Sequence, residues 1–592
     1  MRALILQIAL VAAPAFMAGA APVPVELVTA ADGGWQLLRG GEPYVIKGAG
    51  GDGPKDELAA AGGTTIRTWG VGPETGALLD EAQGLGLTVV VGHWLGHERH
   101  GFDYNDVDQV AEQFERVRRD VLALKDHPAV LAWGVGNEME GIEAADDAAV
   151  WSHVQAVAAM IKSLDPHHPT LTVTADIGGR RVDAVHRLCP DIDIFGINSY
   201  GGAPSLAQRY RAAGGTKPYI ITEFGPPGVW EIGLTSFGAP PELTSTEKAA
   251  AYRDAYQQGC LDAHGLCLGA LAFTWGFKME ATSTWYGMFL PGGDKLAAVD
   301  AMTEMWSGRP PTDLCPEIRA FGLRGSNVVA PGDTVRVDLD IVDPEGAPVT
   351  ASWAVRGEAA EYITGGDTQA VPLELDGIIV DASETGATLV MPAGGVYRLY
   401  LTARDGRGGA ATANVPIKVD GLAGPVRVKL PLAVYADGEP QPWAPSGWMG
   451  NVSELTMDPQ CTDSPRSGAT CLRFSYLNPG QWAGVAWQHP ANDWGDLAGG
   501  FDLTGVSKLT FWARGAAGKE RLDFRVGLLT AEKPFPDTVQ AEKKSIRLTT
   551  EWKRYTIKLK GKDLSRVKTP FMWTAAGQGR TLTFDLDDIR FE

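Results

Sequence analysis

The sequence has little positive charge, and beyond its first 20 residues it has no long apolar run. Its 592 residues include 52 Lys and Arg against 72 Asp and Glu, which gives a formal net charge of -20 at pH 7. Phosphate backbones and anionic lipid headgroups repel a protein of this charge. A membrane-spanning helix needs about 20 predominantly apolar residues in succession. We therefore expect no nucleic-acid partner and no insertion into a membrane.

Familiar motifs for metals and nucleotides are also missing. His93, His97 and His100 lie close together in GHWLGHERH, but the H-E-x-x-H and paired-cysteine spacings of common zinc sites are absent. The glycine-rich GAGGDG after the first predicted strand lacks the Lys-Ser/Thr of a phosphate-binding loop. The sequence thus predicts no required cofactor and no catalytic metal. The three histidines then belong either to a substrate-contacting loop or to an ordinary solvated surface.

The first 20 residues have the three parts of an export signal. They carry a positive charge at Arg2, an apolar run, and the small residues Ala18-Gly19-Ala20 before the predicted cleavage point. We therefore predict a signal peptide over residues 1–20. This makes the mature protein secreted or periplasmic.

Six cysteines are few for a chain of this length, but in an exported protein they favour disulfides. The sequence alone leaves the connectivity open. The local pairs, which flank turn-rich residues, are the ones that we favour: Cys461 with Cys471, and Cys260 with Cys267.

Residues 21–310 alternate short apolar runs with longer amphipathic or Ala-rich segments. This rhythm is typical of parallel strands that are buried on both faces and joined by helices. Eight strand-helix units predict a (β/α)8 TIM barrel, whose active-site residues lie at the C-terminal ends of the strands. The eight candidate strands begin at Tyr44, Thr64, Thr88, Ala129, Thr170, Asp193, Pro218 and Leu268.

After Pro310-Pro311 the pattern changes to short alternating strands separated by Gly, Pro and Asp turns. Residues 311–422 predict one immunoglobulin-like β-sandwich. Residues 423–592 are again all β and predict a jelly-roll sandwich. The chain is therefore expected to be multidomain, with a barrel followed by two sandwiches.

Two strand ends of the predicted barrel carry a carboxylate where the apolar run stops. The fourth strand ends in Asn137-Glu138, and the seventh ends in Glu223. These strands lie across the barrel mouth, so both carboxyl groups can project into one cleft. Glycosidic bond hydrolysis requires such a pair, because one carboxyl protonates the leaving oxygen while the other attacks or supports the sugar. On this reasoning the two roles are interchangeable, and Glu140 is a nearby competitor for the acid role.

These motifs resemble those of the clan A glycoside hydrolases, retaining (β/α)8 enzymes with Asn-Glu after strand four and Glu after strand seven. The resemblance covers about residues 35–306. It implies Glu138 as general acid/base, Asn137 as a donor to the sugar 2-hydroxyl, and Glu223 as nucleophile. Retention implies carboxyl groups about 5 to 5.5 Å apart, compared with about 6.5 to 9.5 Å for inversion.

Other strand ends supply candidate substrate-binding residues. As in the clan, Arg67 would hold the nucleophile ionised and Tyr200 would donate to it; a structural ion pair and plain packing are the respective alternatives. Trp275 after strand eight resembles the aromatic platform under the reacting sugar. His93, which closes the third apolar run, is a candidate sugar contact. Further tryptophans that could extend such a platform are Trp69, Trp94, Trp230 and Trp285.

The last predicted domain is rich in tryptophan and looks like the jelly-roll carbohydrate-binding modules of secreted glycanases. An exposed subset would stack on neutral sugars, whereas a purely structural module would bury them all. The terminal FDLDDIRFE could place Asp585, Asp587 or Asp588 near a structural calcium. The eight tryptophans of this domain are Trp443, Trp448, Trp482, Trp487, Trp494, Trp512, Trp552 and Trp573.

Together these features predict a secreted retaining β-glycoside hydrolase that acts on a polysaccharide or oligosaccharide, most plausibly a β-glucan. One alternative is a β-glucan transglycosylase that uses the same carboxylates. Another is a non-catalytic glycan-binding surface protein, which would have no physical need for both Glu138 and Glu223. The sequence does not indicate an oligomeric state.

Overall fold

The computed structural model describes most of the chain from residue 21 onward. The described ranges are 21–31, 33–140, 147–359, 361–366, 369–439, 441–477 and 480–592. The predicted signal peptide over residues 1–20 lies outside them. The chain divides into two compact units. The first comprises Met1–Glu231, Glu247–Lys278 and Tyr286–Leu314, and the second comprises Ile232–Thr246, Met279–Trp285 and Cys315–Glu592.

A three-stranded antiparallel sheet, which the sequence pattern did not predict, precedes the barrel. Its side chains Val25 and Leu37 pack in one cluster with residues from the interior of the barrel strands, such as Ile46, Val90 and Leu131. The sheet therefore closes the end of the barrel opposite the carboxyl ends of the strands. Its strands are β1 (Val25–Thr29), β2 (Trp35–Arg39) and β3 (Glu42–Tyr44).

The eight predicted parallel strands form a closed barrel, in which neighbouring strands follow the order of the chain. Each strand is almost wholly buried, because its inward side chains fill the barrel and its outward ones pack under helices. The predicted TIM barrel is confirmed. Its strands are β4 (Ile46–Gly50), β5 (Thr65–Arg67), β6 (Thr88–His93), β7 (Val130–Val135), β8 (Thr170–Ala175), β9 (Ile194–Asn198), β10 (Tyr219–Phe224) and β11 (Cys267–Phe273).

Helices alternate with these strands. Asp106 and Asp147 cap the two longest helices by accepting hydrogen bonds from backbone N–H groups of the first turn. Among the residues that the structure describes, no helix is both long and apolar enough to cross a bilayer. The helices are α1 (Lys55–Ala60), α2 (Thr75–Gly84), α3 (Val107–Leu124), α4 (Ala148–Leu164), α5 (Arg181–Leu188), α6 (Leu206–Ala212), α7 (Ser245–Tyr256) and α8 (Ala297–Ser307), with a short strand β12 (Lys295–Leu296) before α8.

The first sandwich of the second unit is immunoglobulin-like. One sheet has the order β13-β15-β19-β18, and the other has β21-β20-β16-β17 with β14 alongside β21. The strands are β13 (Glu317–Leu323), β14 (Val328–Val329), β15 (Thr334–Val342), β16 (Thr350–Gly357), β17 (Glu374–Leu375), β18 (Ile379–Ser383), β19 (Gly386–Val390), β20 (Gly395–Arg404) and β21 (Gly409–Val419).

The second sandwich has jelly-roll architecture. Its sheets have the orders β25-β26-β34-β29-β32, with β23 on β34, and β24-β27-β33-β30-β31. The strands are β22 (Val426–Arg427), β23 (Leu432–Tyr435), β24 (Ala444–Gly450), β25 (Leu455–Cys461), β26 (Cys471–Tyr476), β27 (Trp482–Gln488), β28 (Phe501–Asp502), β29 (Lys508–Gly515), β30 (Arg521–Val526), β31 (Ala541–Arg547), β32 (Lys553–Lys558), β33 (Met572–Ala576) and β34 (Leu582–Phe591).

The cysteines and the C-terminal aspartates bear on two further expectations. The structure contains neither of the two predicted disulfides, although Cys461 lies directly opposite Cys471 on β25 and β26. Their sulfur atoms and an oxygen of Asp585 lie within 4.8 Å of one another. Asp585 already binds the guanidinium groups of Arg473 and Arg514 at 2.8 Å. Two cations at this carboxylate do not fit a calcium ligand.

Candidate active site

Glu223, near the end of β10, is held by three hydrogen-bond donors. Arg67 Nη1 and Trp69 Nε1 donate to its Oε1 at 2.8 and 2.9 Å, and the Tyr200 hydroxyl donates to its Oε2 at 2.7 Å. Burial and the charge of Glu223 raise the pKa of Tyr200 well above its usual value, so its hydroxyl keeps its proton. Three donors, one of them cationic, fix the orientation of the Glu223 carboxyl group.

Arg67 joins four strand ends through one guanidinium group. Besides Glu223, its Nη1 donates to the carbonyl oxygen of Thr222 at 2.9 Å and to Oδ1 of Asn198 at 3.3 Å. Its Nη2 donates to Oδ1 of Asn137 at 2.6 Å. The side chain is buried, so these contacts are shielded from water. Arg67 thus sets the spacing between the ends of β5, β7, β9 and β10.

Glu138 follows β7 and differs electrostatically from Glu223. Its backbone has φ +52°, in the left-handed region, and its N–H donates to the carbonyl of Val173. Its Oε1 accepts a hydrogen bond from Nδ2 of Asn198 at 2.7 Å. Burial, followed by the negative charge of Glu223, raises the pKa of Glu138 to about 7. A positive φ at a residue other than glycine is uncommon and often marks a functional site.

The two carboxyl groups therefore have different surroundings. Glu223 has three donors, whereas Glu138 is disposed to keep a proton. An ionised carboxylate beside a protonated carboxyl is the arrangement that acid-assisted nucleophilic displacement requires. This asymmetry distinguishes the two carboxyl groups, which the sequence pattern left interchangeable.

The structure corrects the expected role of Trp275. Its side chain is 2% exposed, its Nε1 donates to the carbonyl of Pro54 at 2.8 Å, and its ring packs against Phe289 and Trp306. Its indole face is therefore not available to a sugar. Phe273, two residues earlier, packs instead against Trp69 and Tyr200, which donate to Glu223.

Phe273 ends β11 and contacts the residues that donate to Glu223. Its ring meets those of Trp69 and Tyr200 edge to face at 5.9 and 6.0 Å, and Lys278 Nζ lies 4.7 Å from its centroid. Leu271 lies two residues earlier, so its side chain is on the same face of β11, and it belongs to the cluster inside the barrel. The alternation of side chains along β11 thus places Phe273 at the inner wall of the site.

His93 also lies outside the cleft, contrary to expectation. It is 1% exposed, stacks on Trp133 at 5.5 Å and has Asp120 of α3 3.9 Å away. Burial, and then the charge of Arg116, lower the pKa of His93 to about 3. Val90 on the same strand points into the barrel, so the alternation turns His93 outward, between barrel and helices.

Glu140, the competitor for the acid role, is a buried structural side chain. It accepts a hydrogen bond from the backbone N–H of Ala175 at 2.5 Å and pairs with Arg181 at 3.0 Å. Burial and the neighbouring charge of Glu138 raise the pKa of Glu140 to about 8. Its carboxyl has almost no exposed surface, so it cannot reach a substrate.

The sequence pattern missed Asn198 although it lies at the end of a correctly predicted strand. Its Nδ2 contacts Glu138, and its Oδ1 accepts from the hydroxyl of Thr222 at 2.8 Å. The signal was available in the run INSY, where a polar residue closes an apolar strand two positions before Tyr200. We predicted Tyr200 from this run but not the asparagine.

One protein-family model matches part of the barrel. Residues 77–264 match the family model for the TIM barrel domain of glycosyl hydrolases family 2. No curated protein sequence matches the chain. A β-D-glucuronidase for Dictyoglomus thermophilum aligns at 18% identity and a TM-score of 0.38, over 49% of this chain and 54% of its own. A Ruminococcus gnavus β-glucuronidase aligns at 17% and 0.38, over 49% and 53%.

An endo-β-1,4-mannanase from Thermotoga petrophila aligns at 14% identity and a TM-score of 0.33, over 64% of this chain and 98% of its own. By contrast, the alignments with the two glucuronidases span only about half of their length. The segment that matches the family model contains both Glu138 and Glu223. Over these residues the barrel of this chain is therefore similar to the TIM barrel domain of that family.

Proposed function

We propose that the protein is a retaining β-glycoside hydrolase with Glu223 as nucleophile and Glu138 as general acid/base. The observation that carries this proposal is the unequal environment of the two carboxyl groups. Glu223 accepts three hydrogen bonds, including one from Arg67, while Glu138 has its pKa raised to about 7. Asn137, next to the acid, is the proposed donor to the sugar 2-hydroxyl.

The reaction would proceed in two displacements. The carboxylate of Glu223 attacks the anomeric carbon, the bond to the leaving oxygen breaks, and Glu138 gives that oxygen its proton. Glu138, now ionised, then takes a proton from water. The resulting hydroxyl attacks the same carbon, the ester to Glu223 breaks, and both carboxyl groups return to their starting states. No cofactor is required by this sequence of steps.

We propose a polysaccharide or oligosaccharide substrate, most plausibly a β-glucan. The net charge of -20 supports a neutral rather than an anionic polymer, because like charges repel. The signal-like residues 1–20 support secretion or a periplasmic location, where such polymers occur. In that oxidising environment Cys461 and Cys471, opposite one another, would form a disulfide.

The jelly-roll sandwich is proposed to bind glycan through a small number of tryptophans. Trp482 is 50% exposed. Arg466 lies over the ring of Trp512 at 4.2 Å and Arg514 lies over that of Trp552 at 4.8 Å, so each guanidinium covers one indole face. Trp482 is therefore the best candidate for a sugar-stacking residue in this domain. The buried tryptophans are Trp443, Trp487 and Trp573.

A panel of defined β-linked oligosaccharides tests the proposal, with product sizes read by chromatography and the anomer of the first product read by NMR. We expect shortened products and initial release of the β-anomer. Products longer than the substrate would favour transglycosylation. Binding without any turnover would favour the non-catalytic alternative. An α-anomer would contradict the retaining mechanism.

Variants assign the roles. Glu223→Gln and Glu138→Gln should each lower kcat by about 10³ or more, because an amide can neither attack nor protonate. Glu140→Gln is the matched control: it replaces a buried carboxyl two residues away and should keep most of the activity. Azide should restore the activity of Glu223→Gly on an activated aryl glycoside, and the product should be a glycosyl azide of inverted configuration. The rescued product of Glu138→Gly should have retained configuration.

A further inference from the structure

An exposed tryptophan packs against Tyr200, one of the residues that donate to Glu223. Trp230 is 57% exposed and belongs to the loop after β10, the strand that carries Glu223. Its ring meets that of Tyr200 at 5.7 Å and 85°, so the edge of one ring faces the other. Tyr200 in turn donates to Glu223. One aromatic side chain therefore separates the exposed indole from the proposed nucleophile.

The turn that carries Trp230 is fixed rather than free. The backbone N–H of Glu231 donates to the carbonyl of Gly228 at 2.9 Å, which closes a turn around the tryptophan. The indole lies so close to Gly228 that a Cβ added there would come within 2.5 Å of the ring. Any other residue at position 228 would displace the indole.

Glu231 also ties this turn to the loop that carries Tyr200. Its carboxylate accepts backbone hydrogen bonds from Gly201 at 2.8 Å, Gly202 at 3.2 Å and Gly228 at 2.8 Å. These three hydrogen bonds to one carboxylate tie the loop after β10 to the loop after β9. The indole is thus exposed to solvent on a turn that hydrogen bonds tie to the loop of Tyr200.

We infer that Trp230 is a stacking platform for the sugar unit next to the one that reacts, so that the substrate is an oligosaccharide or polysaccharide rather than a monosaccharide glycoside. The inference rests on the proposed function and extends it to a second sugar-binding position. A preformed aromatic surface needs little ordering when a pyranose ring packs on it, because its own side-chain entropy is already lost.

The test compares Trp230→Ala with the wild type on two substrates, an unmodified β-linked tetrasaccharide and the 4-nitrophenyl β-glycoside of the same monosaccharide. We expect kcat/KM to fall at least tenfold more for the tetrasaccharide than for the aryl glycoside. Trp230→Phe should recover part of the loss. Trp35→Ala is the matched control, since Trp35 is also exposed (36%) but lies on β2 at the other end of the barrel.

A binding measurement separates this inference from the chemistry. In a Glu138→Gln background, calorimetric titration with the tetrasaccharide should show about tenfold weaker binding when Trp230 is also replaced by Ala. Equal losses on both substrates, or unchanged tetrasaccharide affinity, would overturn the platform while leaving the hydrolase proposal standing. A wild type that is inactive on every sugar substrate would instead remove the proposed function and the inference with it.

Discussion

The side-chain amide of Asn198 donates to Glu138 across 2.7 Å, and this bond favours the ionised form of the carboxyl. Asn198→Ala should therefore raise the pKa of Glu138 further. The alkaline limb of the activity profile, which reports loss of the acid's proton, should move to higher pH. Thr222→Val is the control, because the Thr222 hydroxyl contacts the oxygen of Asn198 and not Glu138. A limb that moves to lower pH in Asn198→Ala would contradict this account.

The wild-type enzyme should lose activity as the pH rises through about 7, where Glu138 gives up its proton. Because the charge of Glu223 is the second cause of that high value, Glu223→Gln should lower the pKa of Glu138. NMR titration of the labelled glutamates measures this value directly, even in an inactive variant. An unchanged value would mean that the two carboxyl groups do not sense each other.

Glu138→Gln should stabilise the fold at neutral pH while it abolishes activity. The folded pKa of about 7 exceeds the ordinary value of 4.5, so the folded state binds the proton more tightly than the unfolded chain does. Below about pH 4.5 the carboxyl is protonated in both states, so its ionisation does not affect stability. Between about pH 4.5 and pH 7 the unfolded chain ionises first, and the fold becomes progressively less stable. At about 1.4 kcal/mol per pKa unit, the gain from the amide should reach up to about 3 kcal/mol. Thermal unfolding of both proteins at pH 4.5 and pH 8 measures it, with a difference expected only at the higher pH.

Tyr200→Phe should lower kcat by about ten- to a hundredfold, since it removes one hydrogen bond from Glu223, the proposed nucleophile. Trp69→Phe removes another donor, to the other oxygen, and should have an effect of similar size. Steady-state kinetics with an aryl glycoside measures both. Activity within twofold of the wild type in either variant would show that the donor is dispensable.

His93→Phe should leave kcat/KM within about twofold and should not destabilise the barrel. Neither ring nitrogen of His93 has a hydrogen-bond partner among the described residues, and a buried unsatisfied polar group typically costs about 1 to 3 kcal/mol. A large loss of activity without unfolding would restore the original expectation of a sugar contact.

Trp482→Ala should weaken retention on insoluble β-glucan and leave the hydrolysis of short soluble substrates unchanged. Trp512→Ala, whose indole is covered by Arg466, is the matched control. Point variants are preferable to removal of the whole sandwich, because a single apolar cluster contains residues of both sandwiches, such as Val335 and Phe474. Equal retention of the two variants would argue against a binding face at Trp482.

The sequence predicted the barrel well because each strand is an apolar run buried on both faces, a pattern that needs no knowledge of the neighbours. The first three strands escaped prediction because they are short and only partly buried, as in VELVT and WQLLR. Their role in closing the barrel depends on contacts distant in sequence.

For Glu138 and Glu223 the residue type alone carries the proposed chemistry, and their roles stay predictions. The sequence-based expectations were wrong where the direction of a side chain decides. Trp275 and His93 have suitable chemistry, but both are buried in other packing, while the ring of Phe273 contacts Trp69. A shift of one position along a strand moves a side chain to the opposite face of the sheet, and amino-acid composition does not reveal such a shift.

The guanidinium of Arg67, at the end of β5, binds residues at three other strand ends, and this limits how the site can evolve. Asn137, Asn198 and Glu223 all depend on the same group, so a substitution at one of them alters the setting of the other two. Their mutational effects should be strongly non-additive. New sugar specificities are therefore more accessible through the outer loops, such as the one that carries Trp230, than through this inherited centre.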